Sequence, residues 1–198
     1  MSKIHVMKWK HLFLMVLVLV LNIKGKTWRD IPKYYKSLGY AAIINAIYYK
    51  LCKRHLVWEF TPNHFNWRLL RIIHIFIVTP LLVLLFLSKS SKTGFMQLSY
   101  LLKWVFFSSI VEYTAHKQRM IQYKHGWNIF WSGVLYLMMY VYSSLFSKRP
   151  VVTCFISFCS IVFFIKKFKV PIKSKHPFSR RFDAIVDCFY HSRLEDLL

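Results

Sequence analysis

Long apolar runs alternate with short basic connectors along the whole chain. The two clearest runs are Leu69–Leu87 and Trp127–Phe146. A helix rises about 1.5 Å per residue, so runs of this length reach across a hydrocarbon core about 30 Å thick. Six runs qualify as candidate spanning segments: about Val6–Ile23, Leu38–Leu51, Leu69–Leu87, Phe95–Tyr113, Trp127–Phe146 and Val151–Ile165.

The pattern predicts an all-α fold, an integral membrane helical bundle with five or six transmembrane helices. Backbone polar groups must be paired within lipid, and the alternation typical of a transmembrane β-barrel is absent. The second and sixth runs have short apolar cores, which are also compatible with re-entrant or interfacial helices. Within the first run, Leu12–Ile23 follows Lys3, Lys8 and Lys10, as the apolar region of a signal peptide follows its basic region. No small-x-small cleavage site follows that run, so an uncleaved first helix is expected.

Two regions of different composition divide the chain. Residues 1–165 form the predicted transmembrane bundle, and residues 166–198 form a short basic tail predicted to meet the membrane surface. The basic cluster of the tail comprises Lys166, Lys167, Lys169, Lys173 and Lys175. Apolar residues at helical spacing follow it, namely Phe182, Ile185, Val186, Phe189 and Leu194. This spacing is typical of an amphipathic helix, which lies either on anionic lipid or against the cytoplasmic end of the bundle.

The charge of the chain is strongly unbalanced, with 29 Lys+Arg, 7 Asp+Glu and a formal net charge of +22. The basic residues flank the apolar runs, which favours anionic lipid headgroups over nucleic acid as the partner. If six segments span, eighteen Lys and Arg lie on the side of the two termini and nine on the other. The positive-inside rule then predicts a multi-pass protein of the cell membrane with both termini in the cytoplasm. The excess of Lys and Arg on the side of the termini comes from the basic tail.

Acidic residues are scarce before the tail: residues 1–165 contain only Asp30, Glu59 and Glu112. Glu112 and His116 are four residues apart and share a helix face, and His125 follows across a short connector. These three side chains are of the types that bind metals. The sequence nevertheless favours a structural ion pair between Glu112 and a connector Lys or Arg. No catalytic residue, cofactor or resident metal is predicted.

Other polar residues fall inside or beside the predicted spans. Asn45, Asn128 and Ser132 are expected to form hydrogen bonds between helices. Lys103 lies in the middle of the fourth span, where a charge costs about 2.5–3.5 kcal/mol by insertion scales. Pro80 is expected to kink the third helix, because proline removes one backbone hydrogen bond.

Two stretches are similar to a known group of membrane proteins. One contains Trp58-Glu59-Phe60, and the other contains His125-Gly126-Trp127-Asn128 followed by Trp131-Ser132. Together with Glu112-Tyr113 they resemble an uncharacterised family of small multi-pass membrane proteins from spore-forming Gram-positive bacteria. The resemblance covers about residues 38–150. It implies a bacterial cell-membrane protein of the helical-bundle type, and it brings no substrate, cofactor or catalytic residue.

Three functional hypotheses remain open. The first is a non-enzymatic protein whose polar pocket between helices binds a small ligand, a lipid or a membrane protein partner. The candidate polar cluster for that pocket comprises Glu59, Glu112, His116, His125, Trp127 and Asn128. The second is an accessory role in transport or permeation, with Lys103, Glu112 and Asn45 facing a water-filled path. The third is a membrane-embedded, metal-dependent enzyme that uses Glu112, His116 and His125.

Overall fold

The structure is a computed structural model that describes residues 3–52, 55–61, 67–90 and 94–171. Within these ranges, the side chains of residues 3–11 and of Trp67 are not described. Lys173, Lys175 and the predicted amphipathic helix of the tail lie outside the described residues. Lys166, Lys167 and Lys169 lie within them and are exposed.

The described part of the chain is a bundle of helices. Seven α-helical elements follow one another: α1 Lys3–Lys24, α2 Ile31–Leu51, α3 Trp67–Ile73, α4 Thr79–Ser88, α5 Gly94–Lys117, α6 Ile129–Phe146 and α7 Pro150–Lys167. A 3-10 turn, Thr27–Asp30, links α1 to α2, and a π-helical segment, His74–Val78, joins α3 and α4 into one continuous rod. All six predicted segments are therefore helical.

Four helices in the described residues are long and apolar enough to cross a membrane. They are the rod Arg68–Ser88, α5, α6 and α7. The last run of the sequence, predicted to have a short apolar core, thus belongs to a helix of spanning length. In α1 the apolar stretch Leu12–Lys24 is shorter, and α2 is not among the four. These findings support a helical membrane bundle, and the prediction of five or six spans stays open.

The distribution of polar and apolar side chains is inverted relative to a water-soluble protein. Large apolar residues face outward, such as Phe95, Phe106 and Phe155, which are 86%, 69% and 69% exposed. Small polar residues lie among the apolar residues of the interior, and Ser37, Ser143 and Thr153 are fully buried. This arrangement suits a lipid environment, where hydroxyl groups need partners inside the protein and apolar groups do not need burial.

Hydrogen bonds between helices hold the interior together. Asn45 Nδ2 on α2 donates to Thr79 Oγ1 on α4 at 2.8 Å, as the sequence predicts. The hydroxyls of Ser108 on α5 and Tyr140 on α6 are 2.7 Å apart, and those of Tyr142 on α6 and Ser160 on α7 are 2.9 Å apart. Each such bond contributes about 0.6 kcal/mol on average in membrane proteins.

The rod Arg68–Ser88 changes its helical winding just before Pro80. The N–H of Thr79 donates to the carbonyl of His74, five residues back, which closes the π-helical segment. Proline has no N–H for the usual α-helical bond, so a local change of winding is expected near it. The structure thus shows a π-helical segment that begins at His74 and ends just before Thr79 and Pro80, and the kink expected from Pro80 stays a prediction.

A short β-ribbon, absent from the all-helical prediction, closes one end of the bundle. Strand β1, Trp58–Phe60, follows α2, and strand β2, Ile121–Tyr123, follows α5. The strands pair antiparallel with Glu59 opposite Gln122. The segment after α7 reaches the same end, because Phe168 and Val170 pack with Val57 and Trp127. We call this the ribbon end.

The other connectors meet at the opposite end, here called the turn end. The 3-10 turn after α1 packs against α4, and Lys89 lies beside Gly25. The hydroxyl of Ser37, near the start of α2, donates to the carbonyl of Ser143 near the end of α6 at 2.7 Å. Successive connectors thus alternate between the two ends, so each helical rod runs the length of the bundle.

Candidate functional site

Glu112 is the centre of a buried hydrogen-bond network at the ribbon end. Its side chain lies near the end of α5, and the residue is 5% exposed. Three groups donate to Oε1: Trp58 Nε1 at 2.9 Å, the Tyr123 hydroxyl at 2.8 Å and the Ser132 hydroxyl at 2.5 Å. The Tyr136 hydroxyl donates to Oε2 at 2.7 Å. One carboxyl group therefore connects β1, β2, α5 and α6.

A second layer of contacts fixes these donors. Trp127 Nε1 donates to the Ser132 hydroxyl at 2.9 Å. The Tyr48 hydroxyl on α2 donates to the carbonyl of Trp58 at 2.8 Å, and it lies 3.1 Å from the Trp58 backbone nitrogen. Burial, followed by the charge of Glu112, raises the pKa of Tyr123 above its usual range, so its hydroxyl remains a donor at neutral pH.

The partners of Glu112 are neutral, which contradicts the ion pair that the sequence favoured. Within the described ranges, the recorded ion pairs join Glu59 to Arg71 at 3.3 Å and Glu59 to Lys124. Neither pair involves Glu112. The carboxyl group is thus buried among indole and hydroxyl donors rather than next to a cation.

Glu59 does not share the environment of Glu112, although the two were assigned to one polar cluster. Successive side chains of a strand point to opposite faces. Trp58 therefore reaches Glu112 from one face of β1, while Glu59 meets Arg71 and Lys124 from the other. The ribbon separates the two acids.

The two histidines of the proposed metal site also have separate surroundings. His116 stacks on Tyr123 with ring centroids 4.1 Å apart, and its Nδ1 lies 3.0 Å from the carbonyl of Ile121. His125 stacks on His55 at 3.6 Å. Desolvation, followed by the charges of His55 and Lys124, lowers the pKa of His125. Across the described residues, no three His, Cys, Asp or Glu side chains form a group that could hold a metal ion.

The last two members of the predicted cluster, Asn128 and Trp127, stabilise the fold. Asn128 caps α6, because its Oδ1 accepts a hydrogen bond from the Trp131 backbone N–H at 3.2 Å. This is a bond within the start of one helix, not the bond between helices that we expected. Trp127 is 8% exposed and packs with Phe168 in the apolar cluster of the ribbon end. It reaches Glu112 only through Ser132.

An internal cavity of about 320 Å³ extends through the bundle beside Glu112. This volume is at the lower limit of ordinary ligand pockets. Most of the wall is apolar, and the polar lining residues include Glu112, Tyr136, His74, Asn45 and Ser143. Among the described lining residues there is no Lys or Arg.

Two polar atoms of residues that line the cavity lack a hydrogen-bond partner in the described structure. They are Nδ1 of His74, which is buried, and Oγ of Ser143, whose residue is fully buried. An unsatisfied buried donor or acceptor costs about 1–3 kcal/mol, so such groups usually find a partner.

Lys103 lies outside this cavity. It is exposed on α5 and does not line the wall, whereas Glu112 and Asn45 both do. The three residues that the permeation hypothesis grouped together are therefore divided between the outer surface and the interior.

Sequence reasoning missed several residues of the network and the cavity. Tyr136 is four residues after Ser132, so helical spacing already placed its side chain on the same face of α6. Trp58 and Tyr123 lie in the motif stretches but approach Glu112 through strand pairing, which no sequence pattern indicated. His74 enters the wall through the π segment, which a helical repeat of 3.6 residues does not reveal.

Comparison of the chain with protein-family models, with curated proteins and with solved structures found no match.

Proposed function

We propose that this chain is a non-enzymatic, multi-pass membrane protein that binds a small apolar or amphiphilic ligand in its internal cavity. The observation that carries the proposal is the cavity of about 320 Å³, with the carboxyl group of Glu112 and the ring of His74 among its lining residues. Ligand pockets are typically apolar with a few convergent polar groups, and this wall has that composition.

The proposal includes a place and an orientation in the cell. The exposed apolar helices support a membrane, and we assign the cell membrane with the ribbon end toward the cytoplasm. The start of the basic tail, with exposed Lys166, Lys167 and Lys169, lies at that end. These lysines would bind anionic lipid headgroups, because each basic group near such a surface contributes about 1 kcal/mol. Membership of the family that the two motif stretches resemble stays a prediction.

The other two hypotheses gain less support. A permeation path needs Lys103 beside Glu112 and Asn45, but Lys103 is on the outer surface. A metal-dependent enzyme needs Glu112, His116 and His125 in one group, and each has different neighbours. A membrane protein partner fits the exposed face of α5, but nothing identifies what would cover that face.

Tryptophan fluorescence tests the proposal, because Trp58, Trp104 and Trp127 line the cavity. The full chain in nanodiscs of neutral lipid would be titrated with bromododecanol, whose bromine quenches nearby indoles. We expect saturable quenching that unbrominated dodecanol reverses. Quenching that rises without saturation, as for simple partition into lipid, would contradict a binding cavity.

A matched pair of variants on α6 locates the binding. Ser143→Leu adds bulk to a buried residue of the wall, whereas Ser144→Leu changes its neighbour, which does not line the cavity. We expect the first variant to weaken the saturable quenching at least tenfold and the second to leave it unchanged. Equal effects of the two substitutions would place the bromododecanol elsewhere.

A further inference from the structure

At the ribbon end, the cavity lies beside the network of Glu112. Oε1 of Glu112 accepts three hydrogen bonds, whereas Oε2 accepts one in the described structure, from Tyr136. A carboxylate oxygen has two lone pairs, so Oε2 retains the capacity to accept a further donor. Since Glu112 lines the cavity, that donor can belong to a ligand.

Both oxygens of Glu112 accept hydrogen bonds in the described structure, and a carboxylate in this acceptor-only arrangement attracts a cationic group. Neutral donors stabilise a carboxylate by hydrogen bonding but do not cancel its charge. No Lys or Arg is among the described residues of the wall, so no protein cation there would balance Glu112 or attract an anionic ligand. In a medium of low dielectric constant, attraction between a ligand cation and the carboxylate is stronger than in water.

Aromatic and imidazole groups complete a site for an ammonium ion. The indole nitrogen of Trp58 is 2.9 Å from Glu112 Oε1, and the Trp58 ring centroid is 5.5 Å from that of His74. Trp58 therefore contacts both Glu112 and His74, and an indole face attracts cations. The His74 ring packs beside that indole and completes the aromatic side of the site.

The remainder of the cavity suits a single hydrocarbon chain. Its wall includes residues of α6 from Ser132 to Ser143, a rise of about 16 Å along that helix. Side chains along the wall between these limits are mainly apolar, with Leu135 and Met139 as examples. A narrow apolar space with one acidic end fits a chain with one polar head.

We infer that the cavity binds a single-chain amphiphile with a primary ammonium head, held by Glu112 and Trp58. The inference rests on the proposed function, because it names the class of ligand for the same cavity. Two sources share this chemistry, a free long-chain amine and the headgroup of a single-chain aminophospholipid.

Competition among probes with one chain and different heads tests the inference. Dodecylammonium, dodecanol and dodecanoate would each displace bromododecanol from the full chain in neutral nanodiscs. We expect dodecylammonium to bind at least tenfold more tightly than dodecanol, and dodecanoate to bind most weakly. Lysophosphatidylethanolamine in the same assay distinguishes the sources: binding as tight as that of dodecylammonium indicates the lipid, and weaker binding indicates the free amine.

Replacement of each of two glutamates by glutamine provides a matched pair of variants. Glu112→Gln retains the shape of the side chain and should reduce the preference for dodecylammonium over dodecanol at least tenfold. Glu59→Gln removes a carboxylate from the far face of β1, outside the cavity wall, and should leave the preference unchanged. If Glu112→Gln does not fold, Trp58→Phe provides the second test, with a smaller loss of the same preference.

The possible failures are distinguishable. Equal binding of the three heads, with saturable displacement that Ser143→Leu weakens, would overturn the ammonium site and leave the binding cavity intact. Tighter binding of dodecanoate than of dodecylammonium would likewise overturn it. Absence of saturable binding for every probe would overturn the proposed function itself.

Discussion

At the scale of single residues, Glu112 explains why a carboxyl group can be buried in an apolar bundle. Burial of an unpaired charge is costly, and charged groups inside proteins need partners. Four neutral donors, Trp58, Tyr123, Ser132 and Tyr136, surround this carboxyl group. The four donors in turn need the carboxyl group of Glu112 as their hydrogen-bond acceptor. They lie beside the bundle interior, where water cannot easily take its place.

Replacement of Glu112 by alanine should therefore destabilise the fold strongly. The substitution leaves several buried donors without an acceptor, and we expect a loss on the order of 3 kcal/mol in the free energy of unfolding. Thermal or denaturant unfolding of the full chain in mild detergent measures it. Glu59→Ala is the matched control, since its ion pairs are partly exposed and should contribute about 1 kcal/mol or less. Equal losses in the two variants would contradict a special role for Glu112.

At the scale of elements, the connectors are as specific as the helices. The ribbon of β1 and β2 contributes two of the four donors to Glu112, namely Trp58 and Tyr123. At the other end, the turn after α1 fits closely around Gly25, where an added Cβ would lie 2.9 Å from the carbonyl oxygen of Leu21. By contrast, a Cβ on Gly133 in α6 would meet Ser109 Oγ at 3.5 Å, an ordinary contact.

Two alanine substitutions separate these environments. Gly25→Ala forces the turn to shift and should cost roughly 1–3 kcal/mol, as for other overpacked sites. Gly133→Ala should be neutral or stabilising by up to about 1 kcal/mol, because alanine is the better helix former. The change in melting temperature of each variant in detergent provides the comparison. Equal destabilisation by both would show that the turn is not the more tightly packed of the two.

The sequence was informative about helices because each apolar run is a local property of the chain. Leu69–Leu87 and Trp127–Phe146 were therefore located well. The ribbon was not predicted, since two strands of three residues are too short for a periodic signal and pair across α3, α4 and α5. The ion pair expected for Glu112 was wrong for a related reason: its partners come from distant elements, and charge alone did not indicate indole and hydroxyl donors.

At the scale of the whole molecule, the bundle has an apolar outer surface, and its mainly apolar interior contains a minority of buried hydroxyl groups. α5 illustrates this, because only 6% of its most apolar stretch is buried in the protein. The serine, threonine and tyrosine hydroxyls of the interior bond between helices, and the helices enclose the cavity with Glu112 at the ribbon end. The cavity exists only if the helices that enclose it cross the membrane together, from the ribbon end to the turn end. Ligand binding therefore depends on this topology.

The most direct measurement is a map of the two ends by cysteine labelling in sealed, oriented vesicles. Single cysteines at Gln118 and Lys166 (ribbon end) and at Arg29 and Lys148 (turn end) would replace exposed residues, with the native cysteines changed to alanine. A membrane-impermeant thiol reagent should modify the first two from one side and the last two only from the other. Modification of Gln118→Cys and Lys148→Cys from the same side would contradict the account, because α6 would then not cross the membrane.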